Sequence, residues 1–255
     1  PDETKALDGV SLRMADAEHL VVLGTNGSGK STLLNALAGT FPLDEGRVVL
    51  DGRDLSSWPE HHRARLMGRV FQNPFTGTAP GMSVAENLAL ASRRGLPRGL
   101  DRAVSRGALK EFRERVKSLK MGLEDRLDSP VGALSGGQRQ ALTLLMATWR
   151  KPSLLLLDEH TAALDPKTAQ LVIGLTERLI RDGGLTALMV THSLAQAVSL
   201  GDRLIMMHRG RVVYDLSREE KRRLQADELW ALFNEVRRKE QMDPAVGELL
   251  SRQYV

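Results

Sequence analysis

An α/β fold built on a mostly parallel sheet is what this sequence predicts, on three observations. Short apolar, β-branched runs alternate with helical patterns, as strands joined by crossover helices do. One such run, His19–Leu23, leads into a glycine-rich stretch and then the helix-like Ser31–Ala38. From about 73 to 134 the strand signals stop and helical patterns take over, which marks an inserted helical subdomain.

In order, the predicted strands are His19–Leu23, Arg47–Leu50, Gly68–Phe71, Leu154–Leu157, Thr186–Val190, Arg203–Met207 and Arg211–Tyr214. Helices are predicted at Gly136–Arg150, Pro166–Arg181 and Leu194–Leu200 between the later strands, and at Val84–Ala91 and Asp101–Leu119 in the insert. The loop Arg93–Gly99, with Gly95, Pro97 and Gly99, separates the insert helices. His208-Arg209-Gly210 joins the last two strands as an edge hairpin. After Tyr214 comes a helical tail, where Ser217 and Glu220 match a capping box. Leu229, Trp230, Phe233 and Val236 form an apolar stripe there, read as core packing with a partner-binding surface as the alternative. The expected organisation is one domain over 1–255: an α/β core of 1–72 and 135–214, the helical subdomain 73–134 and the C-terminal helical tail 215–255.

The glycine-rich stretch is Gly24-Thr25-Asn26-Gly27-Ser28-Gly29-Lys30-Ser31-Thr32, which fits the P-loop pattern G-x-x-x-x-G-K-[ST] in its strand–loop–helix setting. Small residues let consecutive N–H groups turn toward an anion, and the helix N-terminus adds a partial positive charge. Lys30 is expected to reach the β- and γ-phosphates, with the Ser31 hydroxyl on Mg²⁺. The motif implies a nucleoside triphosphate site on a P-loop NTPase core.

Composition bounds the rest. Hydrophobic residues at 42% of 255 are enough for a packed core. With no cysteine, disulfides and cysteine-ligated zinc are excluded. No run approaches the ~20 apolar residues of a membrane helix, and Pro1–Val10 lacks the apolar core of a signal peptide. The expectation is a soluble, cytoplasmic chain unless it attaches to a membrane-spanning partner. The formal net charge is +4, and the basic clusters Lys221–Arg223 and Arg237–Lys239 have acids interleaved. They read as solvated helix faces, so no nucleic-acid partner is expected. Aromatics at 4% leave few platforms for stacking bases.

Two further motifs narrow the chemistry. Leu154-Leu-Leu-Leu-Asp158-Glu159 is an apolar strand ending in two carboxylates. A phosphate site needs an acid at that edge for Mg²⁺, which fits Asp158, while Glu159 can serve as general base toward the attacking water. Leu134-Ser135-Gly136-Gly137-Gln138 is a second anion-binding element, with Ser135 at a helix N-cap and two glycines exposing N–H groups. Two such elements beside one nucleotide motif are explained by a two-fold dimer. In it, each copy's second element closes over the nucleotide on the other copy's P-loop.

In these motifs the sequence resembles the ATP-binding subunits of bacterial ABC transporters, over nearly its whole length. LSGGQ is their signature and lies in the right order between P-loop and acidic strand. The resemblance implies that Gln72, in Val70-Phe-Gln-Asn-Pro74, is the Q-loop residue that senses Mg²⁺ and nucleotide and contacts the transmembrane partner. It implies that Ala163-Leu164-Asp165 is the D-loop crossing the dimer interface. It also makes His192, in Val190-Thr-His192, the switch histidine on the γ-phosphate. The implied metal ligands are Ser31, Gln72 and Asp158, and the implied catalytic residues are Glu159, His192, Gln72 and Lys30.

The chain departs from the family pattern in two places. His160 follows the catalytic glutamate where relatives carry proline. It is either a tolerated variant or a titratable group that adjusts the water network and makes the rate pH-dependent. No Phe, Tyr or Trp precedes Phe41, although relatives place an adenine-stacking aromatic upstream of the P-loop. The expectation is that the first strand and its stacking residue are missing from this numbering.

What the resemblance implies is an ATPase subunit working as a homodimer around two ATP. It is expected to sit peripherally on the cytoplasmic face of the inner membrane, docked on separate transmembrane permease subunits. Import is the preferred direction, with an extracytoplasmic solute-binding protein. The DEHTAALDPK and FQNPFTGTAP segments resemble an importer group linked to aromatic amino acids. The alternatives are an exporter or lipoprotein-release ATPase, or a soluble ABC ATPase acting on nucleic acid or the ribosome.

Overall fold

The computed structural model describes residues 5–97, 104–223 and 226–241. In chain order the elements are β1 (His19–Gly24), α1 (Lys30–Ala38), β2 (Val49–Leu50), β3 (Arg53–Asp54), α2 (Glu60–Arg63), β4 (Met67–Val70), α3 (Val84–Ser92) and α4 (Arg106–Lys117). They continue with a 3-10 turn at Val131–Ala133, α5 (Gly136–Thr148), β5 (Leu154–Asp158), α6 (Pro166–Gly183), β6 (Ala187–Thr191) and α7 (Leu194–Ser199). The last are β7 (Arg203–His208), β8 (Arg211–Leu216), α8 (Arg218–Arg223) and α9 (Ala226–Gln241). The fold is α/β with mostly parallel strand pairing, as expected. The chain divides into two compact units.

The first unit holds the described residues within Pro1–Leu12, Leu20–Thr32 and Thr191–Val255. β1 pairs in parallel with β7, from Leu20 opposite Arg203 to Gly24 opposite Met207. Every residue of β1 is buried, which is why it reads as a continuous apolar run rather than an alternating one. β7 turns back antiparallel onto β8, through Arg209 and Gly210, both at positive φ (46° and 74°). The half-buried Arg203 pairs with Asp215 at 2.6 Å and holds the far end of this hairpin. Lys221 is buried because its ammonium reaches the carbonyls of Leu200 and Gly201, which tethers α8 to the chain just past α7.

The second unit holds Arg13–His19 and Leu33–Val190, with 98–103 outside the described residues. Here β4, β5 and β6 run parallel, with Met67 opposite Leu154 and Asp158 opposite Val190. α5 packs against β4, α3 and α6. α3 opens on a capping box between Ser83 and Glu86. α4 begins at Arg106, where Ser105 caps it through the Ala108 amide, so the predicted helix from Asp101 is shorter at its start; residues 101–103 lie outside the described set. Arg63 is 1% exposed. Its guanidinium donates to the carbonyls of Ala36 (2.8 Å) and Leu37 (2.9 Å) at the end of α1, and to those of Ser56 and Trp58. It thus satisfies acceptors that a helix end leaves over.

Several expectations needed adjustment. The strand predicted at Arg47–Leu50 is only β2, paired antiparallel with β3 in a short hairpin, and α2 was not predicted. In the tail stripe, Leu229 and Val236 are buried but Trp230 is 60% exposed, because it lies one residue, about 100°, off the packed face. The parts of the tail beyond Gln241 and of the Arg93–Gly99 loop beyond Pro97 lie outside the described residues. Among the described residues no helix is long and apolar enough to cross a membrane.

Candidate nucleotide site

The phosphate-binding loop belongs to the first unit. β1 delivers Gly24, and α1 begins at Lys30. Between them Gly27 and Gly29 take φ of 78° and 100°, left-handed values that glycine adopts without a Cβ penalty. Gly24 and Gly29 are also sterically required. A Cβ on Gly24 would lie 2.6 Å from the Met207 carbonyl, and one on Gly29 2.7 Å from that of Ala6. Lys30 is 5% exposed, and its ammonium is held over the loop by the carbonyls of Gly24 and Thr25, each at 2.8 Å. Ser28 is buried with its hydroxyl beside Gly24, while Asn26, Gly27 and Ser31 face outward. His192 is exposed just past β6. The turn that carries it is locked by Thr191, whose hydroxyl donates to Gln196 (2.7 Å) and accepts from the Ser193 amide (3.0 Å).

The acidic elements belong to the second unit. Asp158 is the last residue of β5, its side chain 16% exposed. Glu159 follows at φ +41°, a left-handed conformation unusual for a residue with a side chain. Its amide donates to the Val190 carbonyl (3.1 Å), and its own carbonyl accepts from Ala162 (2.9 Å), so the neighbouring strand and the next turn hold the strained backbone. Gln72 is exposed two residues past β4. The following Asn73 accepts from the Phe75 amide (3.0 Å), closing an Asx turn.

The signature segment starts α5. Ser135 and Gln138 make a reciprocal capping box, each side chain bonding the other's amide. Gln138 also donates to the Met121 carbonyl (3.0 Å). The two glycines differ from the expectation of a uniformly exposed pair: Gly136 is exposed, whereas Gly137 is buried with a would-be Cβ 2.2 Å from Thr168 of α6. Asp165 caps α6 through the Thr168 amide (3.1 Å).

Two residues near the acidic strand end were not singled out, or not placed, by the sequence. Arg69 of β4 donates to Asn35 Oδ1 (2.6 Å) and lies 3.8 Å from Asp158 Oδ2, with its guanidinium 4.6 Å over the Phe71 ring. Burial pulls its pKa below the ordinary guanidinium value, and the Asp158 charge works the other way. The signal available beforehand was a charged residue inside an apolar strand run. His160 points away from solvent, 3% exposed, with Nε2 2.9 Å from the Thr176 hydroxyl. Burial, and then His19, lower its pKa from 6.5 to about 4. The imidazole therefore stays neutral over pH 6–8, contrary to the idea of a titrating group at the hydrolytic site.

The donor chemistry suits magnesium. Among the described residues no cluster of three or more His, Cys, Asp or Glu is placed to hold a metal. What the chain offers is a hydroxyl (Ser31), a carboxylate (Asp158) and an amide oxygen (Gln72). Mg²⁺ takes such hard oxygens few at a time and completes its shell with phosphate oxygens and water.

Comparison with known proteins agrees with these motifs. Residues 7–162 match the ABC transporter family profile. The chain is 42% identical over 226 residues to a tyrosine transport ATP-binding protein of Clostridioides difficile, covering 89% of this chain and 90% of that one. It is 36% identical over 215 residues to the phosphonates import ATP-binding protein PhnC of Alcaligenes faecalis, covering 83% and 77%. An Fe(3+) ions import ATP-binding protein of Streptomyces avermitilis is 38% identical over 227 residues, and there the match spans 89% of this chain and 62% of a longer relative. Among solved structures, the ATP-binding cassette MJ0796 as a dimer bound to ADP and Pi superposes with TM-score 0.72 at 28% identity, over 84% of this chain and 90% of that one. The ADP conformation of the cassette MJ1267 gives 0.74 at 27%, over 91% and 93%. The chain thus belongs to the ABC transporter family, as one of its ATP-binding, ATP-hydrolysing subunits.

Proposed function

We propose that this subunit hydrolyses MgATP as half of a two-fold homodimer and so drives import of an aromatic amino acid through separate transmembrane subunits. The reading is carried by the Asp158–Glu159 pair at the C-terminal end of a buried parallel strand. Both residues there are half-buried, and the Glu159 backbone is held at φ +41°. The relative named for tyrosine transport, matching 89% of the chain, supports the cargo class.

In this reading the loop from Gly24 to Thr32 binds the phosphates through its N–H groups, and Lys30 neutralises charge on the β- and γ-oxygens. Mg²⁺, when bound, offsets charge developing between those oxygens; Ser31, Asp158 and Gln72 are its protein ligands. Glu159 accepts a proton from the attacking water, and His192 and Gln72 sense the γ-phosphate. Ser135, Gly136, Gly137 and Gln138 complete the pocket on the opposite copy. Gln72 and the helical subdomain 73–134 dock on cytoplasmic loops of the permease. The subunit thereby sits at the cytoplasmic face of the cell membrane, with a solute-binding protein serving the outer side.

The Glu159→Gln protein is expected to bind ATP, lose at least ~100-fold in hydrolysis, and sediment as a dimer in saturating MgATP. A monomer under those conditions, even with its membrane subunits supplied, defeats the dimer reading. Labelled tyrosine uptake by the reconstituted complex tests the cargo; uptake indifferent to ATP or to tyrosine competition rejects it.

A further inference from the structure

We infer that Arg69 is a positioning residue for Asp158, one guanidinium that ties the strand end carrying that carboxylate to the segment carrying Gln72. This rests on the reading of Asp158 as a metal ligand. Three contacts support it. Nη2 stands 3.8 Å from Asp158 Oδ2. The same nitrogen donates to Asn35 Oδ1 at 2.6 Å, which anchors the guanidinium on α1. The guanidinium stacks 4.6 Å over Phe71, the residue directly before Gln72. A weaker donation from Nη1 to the Thr40 hydroxyl (3.4 Å) steadies the group from beyond α1.

The physics favours such a part. The Asp158 side chain is only 16% exposed, so its charge is better tolerated beside a fixed cation. Arg69, with its side chain 14% exposed, is fixed rather than wandering. The Asn35 and Asp158 oxygens both approach one nitrogen, Nη2, and the planar group keeps its second terminal nitrogen for the Thr40 hydroxyl. At 3.8 Å the guanidinium acts on Asp158 Oδ2 through charge, and that attraction biases the orientation the carboxylate presents to a metal, as outer partners of metal ligands do.

The test uses the full chain in the Glu159→Gln background, with Mn²⁺ as a spectroscopically visible stand-in for Mg²⁺. Mn²⁺ is titrated in the presence of ATP and followed by electron paramagnetic resonance, and ATP is titrated separately in EDTA. Arg69→Met is expected to weaken Mn²⁺ binding about tenfold or more, while metal-free ATP binding changes less than about twofold. Arg69→Lys should fall between Met and wild type, and it decides the matter alone if the Met variant does not fold. Unchanged Mn²⁺ binding in the folded variants overturns the inference. So does an equal loss in EDTA, which would make Arg69 a support of the loop and not of the metal site. Asp158→Asn separates the two levels: if it shifts Mn²⁺ binding and Arg69→Met does not, only the inference about Arg69 falls. If Asp158→Asn shifts nothing, the metal-ligand reading falls and takes this inference with it.

Discussion

Replacing His160 by Gln removes a buried titratable group next in sequence to Glu159 while keeping an N–H for Thr176. The Thr176 hydroxyl donates to the Val172 carbonyl (2.8 Å), so it accepts from His160 Nε2 at 2.9 Å, and the imidazole is the Nε2–H tautomer. The charged group acting on it is His19 on β1, itself paired with Glu177 of α6 at 3.3 Å. Burial first, and His19 second, bring its pKa from 6.5 to about 4. The sign follows: between pH 6.5 and 4 the unfolded chain takes up a proton that the folded chain refuses, so stability falls as pH drops through that window. Linkage gives a loss of about 2 kcal/mol from pH 7 to pH 5 and about 3 kcal/mol by pH 4, as an order of magnitude. With an m-value of roughly 2 kcal/mol/M, the urea midpoint should fall about 1 M further in wild type than in His160→Gln between pH 7 and pH 5. Circular dichroism at the two pH values measures this. Parallel pH dependence in the two proteins would refute the assignment of a neutral buried imidazole. The same neutrality predicts that His160→Pro leaves the ATPase pH profile between 6 and 8 unchanged.

Two other substitutions probe the loop and the end of α1. Gly29→Ala should abolish ATP binding by calorimetry, since a Cβ there meets the Ala6 carbonyl at 2.7 Å and the Gly210 Cα at 3.2 Å, at a φ of 100°; wild-type affinity would show that the loop adapts. Arg63→Met removes the donor shared by four carbonyls, two of them at the end of α1. It should destabilise the protein by about 3 kcal/mol or more in urea, and a loss under about 1 kcal/mol would mean that water replaces the guanidinium.

What the sequence made legible was local. β5, β6 and β7 are uninterrupted apolar runs, and their observed bounds lie within a residue of those predicted. The P-loop and signature were legible because glycine, lysine and serine at fixed spacing leave little else to be. The β2–β3 hairpin was missed although its signal was present: Asp51-Gly52, at φ of 50° and 72°, is a strong two-residue turn pair, but two-residue strands on either side carry no periodicity. Arg63 and Arg69 were missed for another reason. Their partners lie 27 and 34 residues away in sequence, and nothing in a local pattern announces a long-range hydrogen bond. His160 was noticed as a departure, yet its direction, toward α6 rather than the water site, depended on Thr176 and could not be read locally. Trp230 shows the converse error, an apolar residue assigned to a stripe that the helix rotates out of register.

The signature glycines also change meaning once packing is known. Read as sequence, Gly136 and Gly137 are two interchangeable ways to bare an N–H. In the fold, Gly137 is closed over by Thr168, and a Cβ on Gly136 would meet Leu164 at 3.2 Å. Leu164 and Thr168 flank Asp165, whose carboxylate accepts from the Thr168 amide and starts α6. The segment expected to close over the partner's nucleotide and the segment expected to cross the dimer interface are therefore packed on each other, with no side-chain-sized gap between them. Close-packed interiors shift as blocks rather than deform continuously. In the proposed dimer, a shift of the helix start at Gly136 and Gly137 is expected to press on Leu164 and Thr168, the residues that flank Asp165.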